Sequence, residues 1–491
     1  MRFTLKALLC ATVVSAIYAY RRCSIKSPST QDQADPFAVV FPDSATAAIS
    51  PGMIATTITS ASKRLASGAT SNWSTSAANR SANETIVLSL DTKFQEMVGF
   101  GAAFTDGACY MFNQLAPEAR NKLFYELFHP SQMGLNMCRT CVGSSDYSTH
   151  AYSYNDGPAD PDLKNFSIDH DLKYIVPMVR EALQQNPDIF LFSSPWSPPG
   201  WMKSNNSLLG GNVQRKWFPN YAQYLSKFLR AYEQAGVPIR ALTVQNEVDT
   251  DQGSLMPQCL WPQEYEVDFV RYHLGPQLER EGQKTQIWMI DHNFNLWGRA
   301  LASLEEWDIK KYCKAIAWHG YVGDPAKATV VHDAHPDIDC YWTEGGPGIN
   351  DPEYAVQWTV WGRAFTAFLR NWCRGLTGWN LALDEAGRPN IGPFDCAGLV
   401  TINSITKAVS YSGQFWAMGQ FSKFVRRGAR RFQSLGEFKD LVHVAFQNPD
   451  GSKVIVLTNS GSSARTVSLE LDSWRADVQL EPNSLTTLVW N

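Results

Sequence analysis

The sequence has little net charge and no long run of charges of one sign. Its 491 residues carry 43 Lys or Arg against 47 Asp or Glu, a formal net charge of −4. A nucleic-acid surface needs clustered basic side chains, so no nucleic-acid partner is expected. The four arginines between Arg426 and Arg431 are interpreted as a solvated face.

Metal and nucleotide motifs are missing as well. Cys138 and Cys141 form one isolated CxxC, and a second pair that could complete a zinc site is absent. The chain has no HExxH and no Walker A motif, and "GFGAAF" at Gly99 lacks the third glycine of a dinucleotide fingerprint. His332 and His335 are too isolated to indicate a metal site. No metal and no cofactor are therefore expected.

Long apolar runs are absent beyond the N-terminus. There, Arg2 and Lys6 precede an uncharged apolar segment at residues 7–20. That length is short for a membrane span and suits a secretory signal. Residues 1–23 are predicted to be a signal peptide or, alternatively, a retained anchor. The protein is expected to be secreted or periplasmic.

Aromatic residues, in contrast, are plentiful. The chain has 17 Trp, 18 Tyr and 25 Phe, 12% of all residues. Most belong in the core, but the excess also suits a sugar-binding cleft, because the C–H faces of sugars lie flat on aromatic rings.

Eight short apolar runs alternate with amphipathic helical stretches such as Pro117–Leu127. This alternation predicts an α/β fold, a (β/α)8 TIM barrel at residues 94–420. The eight runs are "MVGFGAA" from Met97, "NMCRTCV" from Asn136, "IFLFSS" from Ile189, "ALTVQN" from Ala241, "QIWMID" from Gln286, "AIAWHG" from Ala315, "DCYWTE" from Asp339 and "LTGWNLAL" from Leu376.

The C-terminal residues, 421–491, have a different pattern. Two alternating runs in Leu441–Ser460 meet at Asp450-Gly451, a strong hairpin signal, and two further strand patterns follow. They predict an appended antiparallel β-sandwich. Residues 24–93 are predicted to be a linker, with a strand near Glu84 joining this sandwich.

Two of the apolar runs lead to glutamates, Glu247 after the fourth and Glu344 after the seventh. Function in a parallel barrel sits at the carboxyl ends of the strands, so both side chains are expected in one central cleft. A facing carboxylate pair suits glycoside hydrolysis. Taken singly, a glutamate in such a position is more often a solvated loop residue or part of a structural ion pair.

Six motifs in order resemble glycoside hydrolase family 30, in particular its glucosylceramidase-like branch. They cover most of residues 94–491. They are "FQEMVGFGAAFTDGA" from Phe94, "SPWSPPGWMKSN" from Ser194, "VQNEVD" from Val244, "WTEGG" from Trp342, "GWNLALDEAGRPN" from Gly378 and "FSKFVRRGARR" from Phe421.

The resemblance implies a retaining mechanism, with Glu247 as acid/base and Glu344 as nucleophile. It also implies substrate contacts from a further set of side chains. These are Arg139, Asp146, Trp196, Asn246, His319, Tyr321 and Trp379. For Arg139 with Asp146 the alternative is a plain ion pair, and for His319 and each Trp a place in the core. Departures from the family pattern at Gly320, Gly345 and Phe394 bear on the aglycone rather than on the chemistry.

The expected function is hydrolysis of β-glucosides, most of all glucosylceramide-type substrates, which would bring membrane-surface contact. The alternatives within the family are a β-1,6-glucanase or a β-xylosidase. The alternative from another class is a non-catalytic carbohydrate-binding protein, which would be expected to have lost one carboxylate. The partner is a carbohydrate or glycolipid in every case.

Overall fold

The structure is a computed structural model and describes residues 52–75 and 84–491. The predicted signal or anchor segment, residues 1–23, lies outside the described residues. Among the helices that are described, none is long and apolar enough to cross a membrane.

Four strands precede the barrel: β1 (Met53–Ser60), β2 (Lys63–Ser67), β3 (Ser71–Asn72) and β4 (Glu84–Glu96). The first three fall in the Ser- and Thr-rich region that the composition predicts to be mostly linker. In β1, Ile54, Thr56 and Ile58 are buried in alternation with more exposed neighbours. Because threonine is β-branched and fits a pleated surface, a polar composition here still forms a strand.

Eight parallel strands close into the predicted barrel, and each coincides with one of the eight apolar runs. Their residues are almost all buried, as expected for strands covered on both faces. The strands are β5 (Gly99–Phe104), β6 (Met137–Val142), β7 (Phe190–Pro195), β8 (Ala241–Thr243), β9 (Gln286–Asn293), β10 (Cys313–His319), β11 (Asp339–Glu344) and β12 (Cys373–Asn380).

Helices follow most of these strands and cover the barrel. Pro117 is the first residue of its helix, where its fixed φ and missing N–H cost nothing. The helices of the described residues are α1 (Asp106–Asn113), α2 (Pro117–Phe128), α3 (Asp169–Gln185), α4 (Phe218–Gln234), α5 (Gln263–Phe269), α6 (Gly275–Arg280), α7 (Trp297–Glu305), α8 (Ile309–Tyr312), α9 (Ala326–Ala334), α10 (Trp358–Arg370) and α11 (Gly413–Ser422).

A three-stranded sheet extends the carboxyl side of the barrel, and a second, larger sheet forms the appended module. The larger sheet takes in β1, β2 and β4, with β4 pairing with strands from the C-terminal part. The remaining strands are β13 (Ala382–Leu383), β14 (Val400–Ile402), β15 (Val409–Tyr411), β16 (Arg430–Leu435), β17 (Leu441–Gln447), β18 (Lys453–Asn459), β19 (Arg465–Leu471), β20 (Trp474–Leu480) and β21 (Ser484–Trp490).

The arginine cluster before and within β16 is only partly a solvated face. Arg430 is exposed, but Arg431 is buried, and its guanidinium carbon lies 3.6 Å from the ring centre of Phe94. Its Nε donates to Gln95, which lies on β4. The guanidinium carbon also lies 5.6 Å from the ring centre of Trp372, which directly precedes β12, so Arg431 packs between the module and the barrel rather than facing solvent.

Apolar side chains fill the amino-terminal half of the barrel interior. Trp288 stacks on Tyr341 with ring centres 4.2 Å apart, and Phe192 lies beside them. The two cysteines of the CxxC are buried on β6 and serve as small side chains. With this end filled, polar side chains that enter the barrel collect at its carboxyl end.

Candidate active site

Glu344 is the last residue of β11 and is 5% exposed. Two donors hold its carboxylate. Nη1 of Arg139 donates to Oε2, and the Tyr321 hydroxyl donates to Oε1 over 3.1 Å. Desolvation of its hydroxyl, then the charge of Glu344, raises the pKa of Tyr321 well above its usual value although the residue as a whole is 45% exposed, so the phenol keeps the proton it donates.

Glu247 lies four residues beyond β8, in a turn where its φ is +52°. A non-glycine residue with positive φ is strained, and such strain persists only where surrounding contacts over-determine it. Here the Glu247 N–H donates to the carbonyl of Asp291 over 2.9 Å. The turn brings the side chain back over the barrel mouth, where Oε1 meets two imidazoles.

His319 joins the two glutamates. Its Nδ1 lies 3.2 Å from Glu247 Oε1, and its Nε2 lies 3.8 Å from Glu344 Oε2 and 3.1 Å from Asp291 Oδ1. Burial alone would lower the pKa of His319, but Glu344, Asp291 and Glu247 together raise it to about 9. The ring is therefore an imidazolium at neutral pH and donates from both nitrogens.

Protons in this cluster are shared, because one imidazole contacts both carboxylates. Burial would raise the pKa of Glu247, but the hydrogen bond and charge of His319 hold it below its usual value. Burial raises the pKa of Glu344, against the opposing charges of His319 and Arg139. The proton nearest Glu247 thus resides on His319 in the resting protein.

Arg139 lies beneath the two glutamates and is fully buried. Its Nη2 is 2.8 Å from Asp291 Oδ2 and donates also to Asn246 Oδ1 over 2.8 Å. Its Nε donates to the Ser194 hydroxyl over 3.0 Å. The alternative of an ion pair between Arg139 and Asp146 is wrong, because Asp291 and Glu344 take up the guanidinium charge instead.

A cavity of about 340 Å³ opens above this cluster. Seven of the nine side chains that the sequence predicts for the site line it: Asp146, Trp196, Asn246, Glu247, Tyr321, Glu344 and Trp379. Of the described residues predicted for the site, Arg139 and His319 are fully buried and contact the glutamates from below rather than lining the cavity.

Two stacked indoles form one wall of the cavity. The ring centres of Trp196 and Trp379 are 5.1 Å apart and nearly parallel, and the Arg139 guanidinium carbon lies 4.7 Å from the centre of Trp196. Burial, then the charges of Glu344 and Glu247, raise the pKa of Asp146 well above its usual value. The wall thus combines apolar faces with a carboxyl group that can exchange hydrogen bonds with hydroxyls.

The sequence interpretation missed three consecutive polar residues that end β9. Asp291 receives Arg139 and His319, His292 contacts Glu247 at 3.5 Å, and Asn293 accepts from the backbone N–H of Tyr321 over 2.9 Å. The signal was available, since "QIWMI" is an apolar run that turns polar at its carboxyl end, as the fourth and seventh runs do.

Gly320 and Gly345, two departures from the family pattern, lie against one indole. A Cβ on Gly320 would lie 2.6 Å from Trp342 Nε1, and a Cβ on Gly345 would lie 2.4 Å from Trp342 Cζ2. The ring of Trp342 is fully buried. Both glycines are therefore required by the packing around Trp342.

An eight-stranded barrel with two carboxylates at its carboxyl end, beside stacked indoles, is the arrangement of a glycoside hydrolase. Residues 97–425 match the description "Glycosyl hydrolase family 30 TIM-barrel domain", and residues 428–488 match "Glycosyl hydrolase family 30 beta sandwich domain". The chain belongs to glycoside hydrolase family 30.

The chain is similar to relatives that are named for two different activities. The endo-1,6-beta-D-glucanase of Neurospora crassa is 31% identical over 464 residues, 88% of this chain and 95% of the relative. The lysosomal acid glucosylceramidase of Mus musculus is 32% identical over 398 residues, 77% of each chain. The solved endo-beta1,6-glucanase BT3312 superposes with a TM-score of 0.82 at 27% identity, over 89% of this chain and 99% of that one.

Proposed function

We propose that the protein is a retaining β-glycosidase in which Glu344 is the nucleophile and Glu247 the acid/base. The observation that carries the proposal is that both carboxylates line one cavity and contact the same imidazole. Retaining enzymes use two carboxyl groups about 5–5.5 Å apart. Arg139 and Tyr321 donate to the two oxygens of Glu344 and aim the carboxylate for attack on an anomeric carbon, and the charges of His319 and Arg139 oppose the rise that burial causes in its pKa.

In the first step Glu344 attacks the anomeric carbon while Glu247 protonates the departing glycosidic oxygen. His319 supplies that proton through its 3.2 Å contact with Glu247. Once Glu344 is an ester, one negative charge beside His319 is gone. In the second step Glu247 takes a proton from water, and the water cleaves the ester with net retention.

The remaining cavity residues bind the sugar. Asn246 is held by Arg139 and can hydrogen-bond the 2-hydroxyl, a contact that strengthens in the transition state. Trp196 and Trp379 line the cavity and are only 1% and 2% exposed, so they form an apolar backing for the C–H side of the ring rather than an open face. Asp146, on the loop after β6, meets the hydroxyls farther from the anomeric carbon.

For the substrate we propose β-1,6-linked glucan rather than glucosylceramide, which the sequence motifs alone favour. Three similar proteins support this choice: the Neurospora crassa relative, which the chain matches over 95% of its length, a Trichoderma harzianum endo-1,6-beta-D-glucanase at 30% identity, and BT3312. Glucosylceramide remains the second candidate, since the mouse enzyme is 32% identical. Its lipid would bring the cavity mouth to a membrane surface.

An exported location fits a polymer substrate found outside cells. We propose that residues 1–23 direct export, with retention as an anchor as the alternative. Fractionation of expressing cells tests this. Activity in the medium supports cleavage, activity in the membrane pellet supports an anchor, and activity confined to the cytosol contradicts both.

Azide rescue tests the catalytic assignment. Glu344→Ala should abolish turnover, and azide should restore it on an aryl β-glucoside with production of the α-glucosyl azide, because azide attacks in place of the carboxylate. Glu247→Ala should still react with an activated aryl glucoside, and azide should then yield the β-glucosyl azide. The same product stereochemistry from both variants, or normal turnover by Glu344→Ala, would overturn the assignment.

The substrate is tested separately on the wild-type protein. A β-1,6-glucan, glucosylceramide in detergent and an aryl β-xyloside are compared by kcat/KM, with product sizes from the glucan. Oligosaccharides released from the glucan support endo action on that polymer. Faster hydrolysis of glucosylceramide would replace the glucan proposal and leave the catalytic assignment intact.

A further inference from the structure

Two histidines and the proposed acid/base converge beside the cavity, where Glu247 and His292 line the wall and His319 lies beneath. Glu247 Oε1 lies 3.2 Å from Nδ1 of His319 and 3.5 Å from Nδ1 of His292. One ligand atom from each of the three residues lies within 4.8 Å of those of the others. Zinc bound tetrahedrally at about 2.0–2.1 Å has ligand atoms about 3.3 Å apart, close to the two separations from Glu247 Oε1, and the third separation, between the two rings, lies within 4.8 Å.

The far sides of both rings are also arranged as in a metal site. His319 Nε2 lies 3.1 Å from Asp291 Oδ1, and His292 Nε2 lies 3.0 Å from Asp249 Oδ1. Histidines that bind metals almost always donate their other N–H to a carboxylate or carbonyl, which fixes the ring and the tautomer. In both rings the carboxylate orients Nδ1 toward Glu247.

An ion can reach this position from solvent. Glu247 and His292 line the cavity, and Glu247 is partly exposed. Four carboxylates contact the two imidazoles, those of Glu247, Asp249, Asp291 and Glu344, so several negative charges lie around the position. Water in the cavity can complete the coordination as the fourth ligand.

We propose that Glu247, His292 and His319 form a site for a divalent transition-metal ion of the Zn²⁺ type. The ion replaces the proton that His319 Nδ1 shares with Glu247, and that proton passes to the buffer. A bound ion occupies the carboxylate oxygen that must protonate the leaving group, so occupancy switches hydrolysis off reversibly. This inhibitory effect rests on the proposed role of Glu247, whereas binding of the ion does not.

Titration of the full chain with Zn²⁺ in the calorimeter, without substrate, tests the site. One ion should bind, and Co²⁺ at the same site should give the visible absorption of a tetrahedral ion. His292→Ala should weaken Zn²⁺ binding at least about 100-fold, and Asp249→Asn about 10–100-fold, since it leaves the three ligands and removes a partner of one. His332→Ala removes a histidine that stacks on Trp372 outside the site and should bind as the wild type does.

His292→Cys keeps a donor at the position and covers the case in which His292→Ala does not fold. It should bind Co²⁺ with an added thiolate charge-transfer band. The proposal is overturned if the wild type binds no ion at millimolar Zn²⁺, if folded His292→Ala binds as tightly as the wild type, or if Co²⁺-bound His292→Cys lacks the thiolate band.

Inhibition is measured last, on an aryl β-glucoside. Zn²⁺ should lower the wild-type rate with the same dissociation constant that calorimetry gives, and a chelator should restore it. If Zn²⁺ binds to Glu247, His292 and His319 but does not inhibit, the metal site is supported and the proposed role of Glu247 as acid/base is contradicted. Inhibition that persists in His292→Ala at the same Zn²⁺ concentration would instead overturn the site.

Discussion

Arg139 and Asp291 form an ion pair at 2.8 Å in which neither side chain is exposed to solvent. The same guanidinium donates to Glu344 and Asn246, so one residue of β6 fixes groups from three other barrel strands or their loops. A planar fork with five donors can do this, and an ammonium group cannot.

Arg139→Lys should therefore lower kcat/KM roughly 100-fold or more, because a lysine leaves buried acceptors on Asp291, Asn246 or Glu344 unpaired. The measurement is steady-state hydrolysis of an aryl β-glucoside, with the thermal midpoint as a check on folding. Arg215→Lys, at an exposed pair with Asp268, serves as the matched control and should change neither value. A folded Arg139→Lys with wild-type kcat/KM would refute the positioning role.

His319 makes stability depend on pH. Its pKa is raised to about 9 in the folded protein, against an ordinary value of 6.5. The contribution is therefore fully present below pH 6.5 and is lost as the pH rises through 9, and for this buried group it is on the order of 3 kcal/mol. The free energy of unfolding from urea titrations should fall between about pH 6.5 and 9. His319→Gln should reduce that fall, and an unchanged slope would contradict the imidazolium.

The barrel was readable from the sequence because its interior strands carry their own signal. Runs such as "QIWMI" and "DCYW" are short, apolar and β-branched or aromatic, and helices separate them. Glu344 ends such a run and could be located by that alone. The partners of Arg139 could not be located in this way. Ser194 is placed by the register of β7 on β6, and Asp291 approaches from across the barrel at a strand irregularity at Ile290 and Asp291, where both φ values are positive.

Residues of the module were harder to assign for a different reason. Half of the residues in β1 are polar, so its composition does not predict a strand. Its alternation of buried Ile and Thr is explained only by its pairing with β21. Gly345 likewise looks in the sequence like a departure from the family pattern. In the structure a glycine is needed there because the indole of Trp342, two positions before Glu344, leaves no room for a Cβ. Both the strand β1 and the glycine at position 345 depend on contacts with residues elsewhere in the fold, which the local sequence pattern does not show.

Packing around Trp342 leads to a test on glycines. Gly345→Ala should destabilise the protein by roughly 1–3 kcal/mol, because its Cβ would fall 2.4 Å from a fully buried ring that must move. Gly298→Ala, at an exposed helical position with nothing within 4 Å, should instead stabilise by about 0.5–1 kcal/mol. Thermal unfolding of both variants measures this pair. A Gly345→Ala midpoint at or above the wild type would contradict the packing account.

Asp171, at the start of α3, carries a buried polar cluster that supports the loop beyond β6. Its carboxylate accepts from the hydroxyls of Tyr152 at 2.9 Å and Tyr154 at 2.6 Å, and from Tyr232. Tyr154→Phe removes one donor to a charged group and should cost about 1.5–3 kcal/mol by urea unfolding. Tyr110→Phe, with an exposed ring, should stay within about 0.5 kcal/mol of the wild type. Equal effects would show that the cluster does not contribute.

Phe394 provides the sharpest separation of sugar binding from chemistry. Its ring is 39% exposed and lines the cavity. Its backbone is fixed, because its carbonyl accepts from the Tyr147 hydroxyl over 2.8 Å. The ring can therefore contact a sugar beyond the scissile bond. Phe394→Ala should raise KM for β-1,6-linked oligosaccharides roughly 10-fold through loss of stacking, and leave kcat and the KM of a small aryl glucoside nearly unchanged. Ile405→Ala, at a side chain 85% exposed and outside the lining of this cavity, is the control. A stacked aglycone acts on binding alone. An equal loss on both substrates would therefore place Phe394 with the groups that hold Glu247 and Glu344, and would remove this support for a glucan-binding cleft.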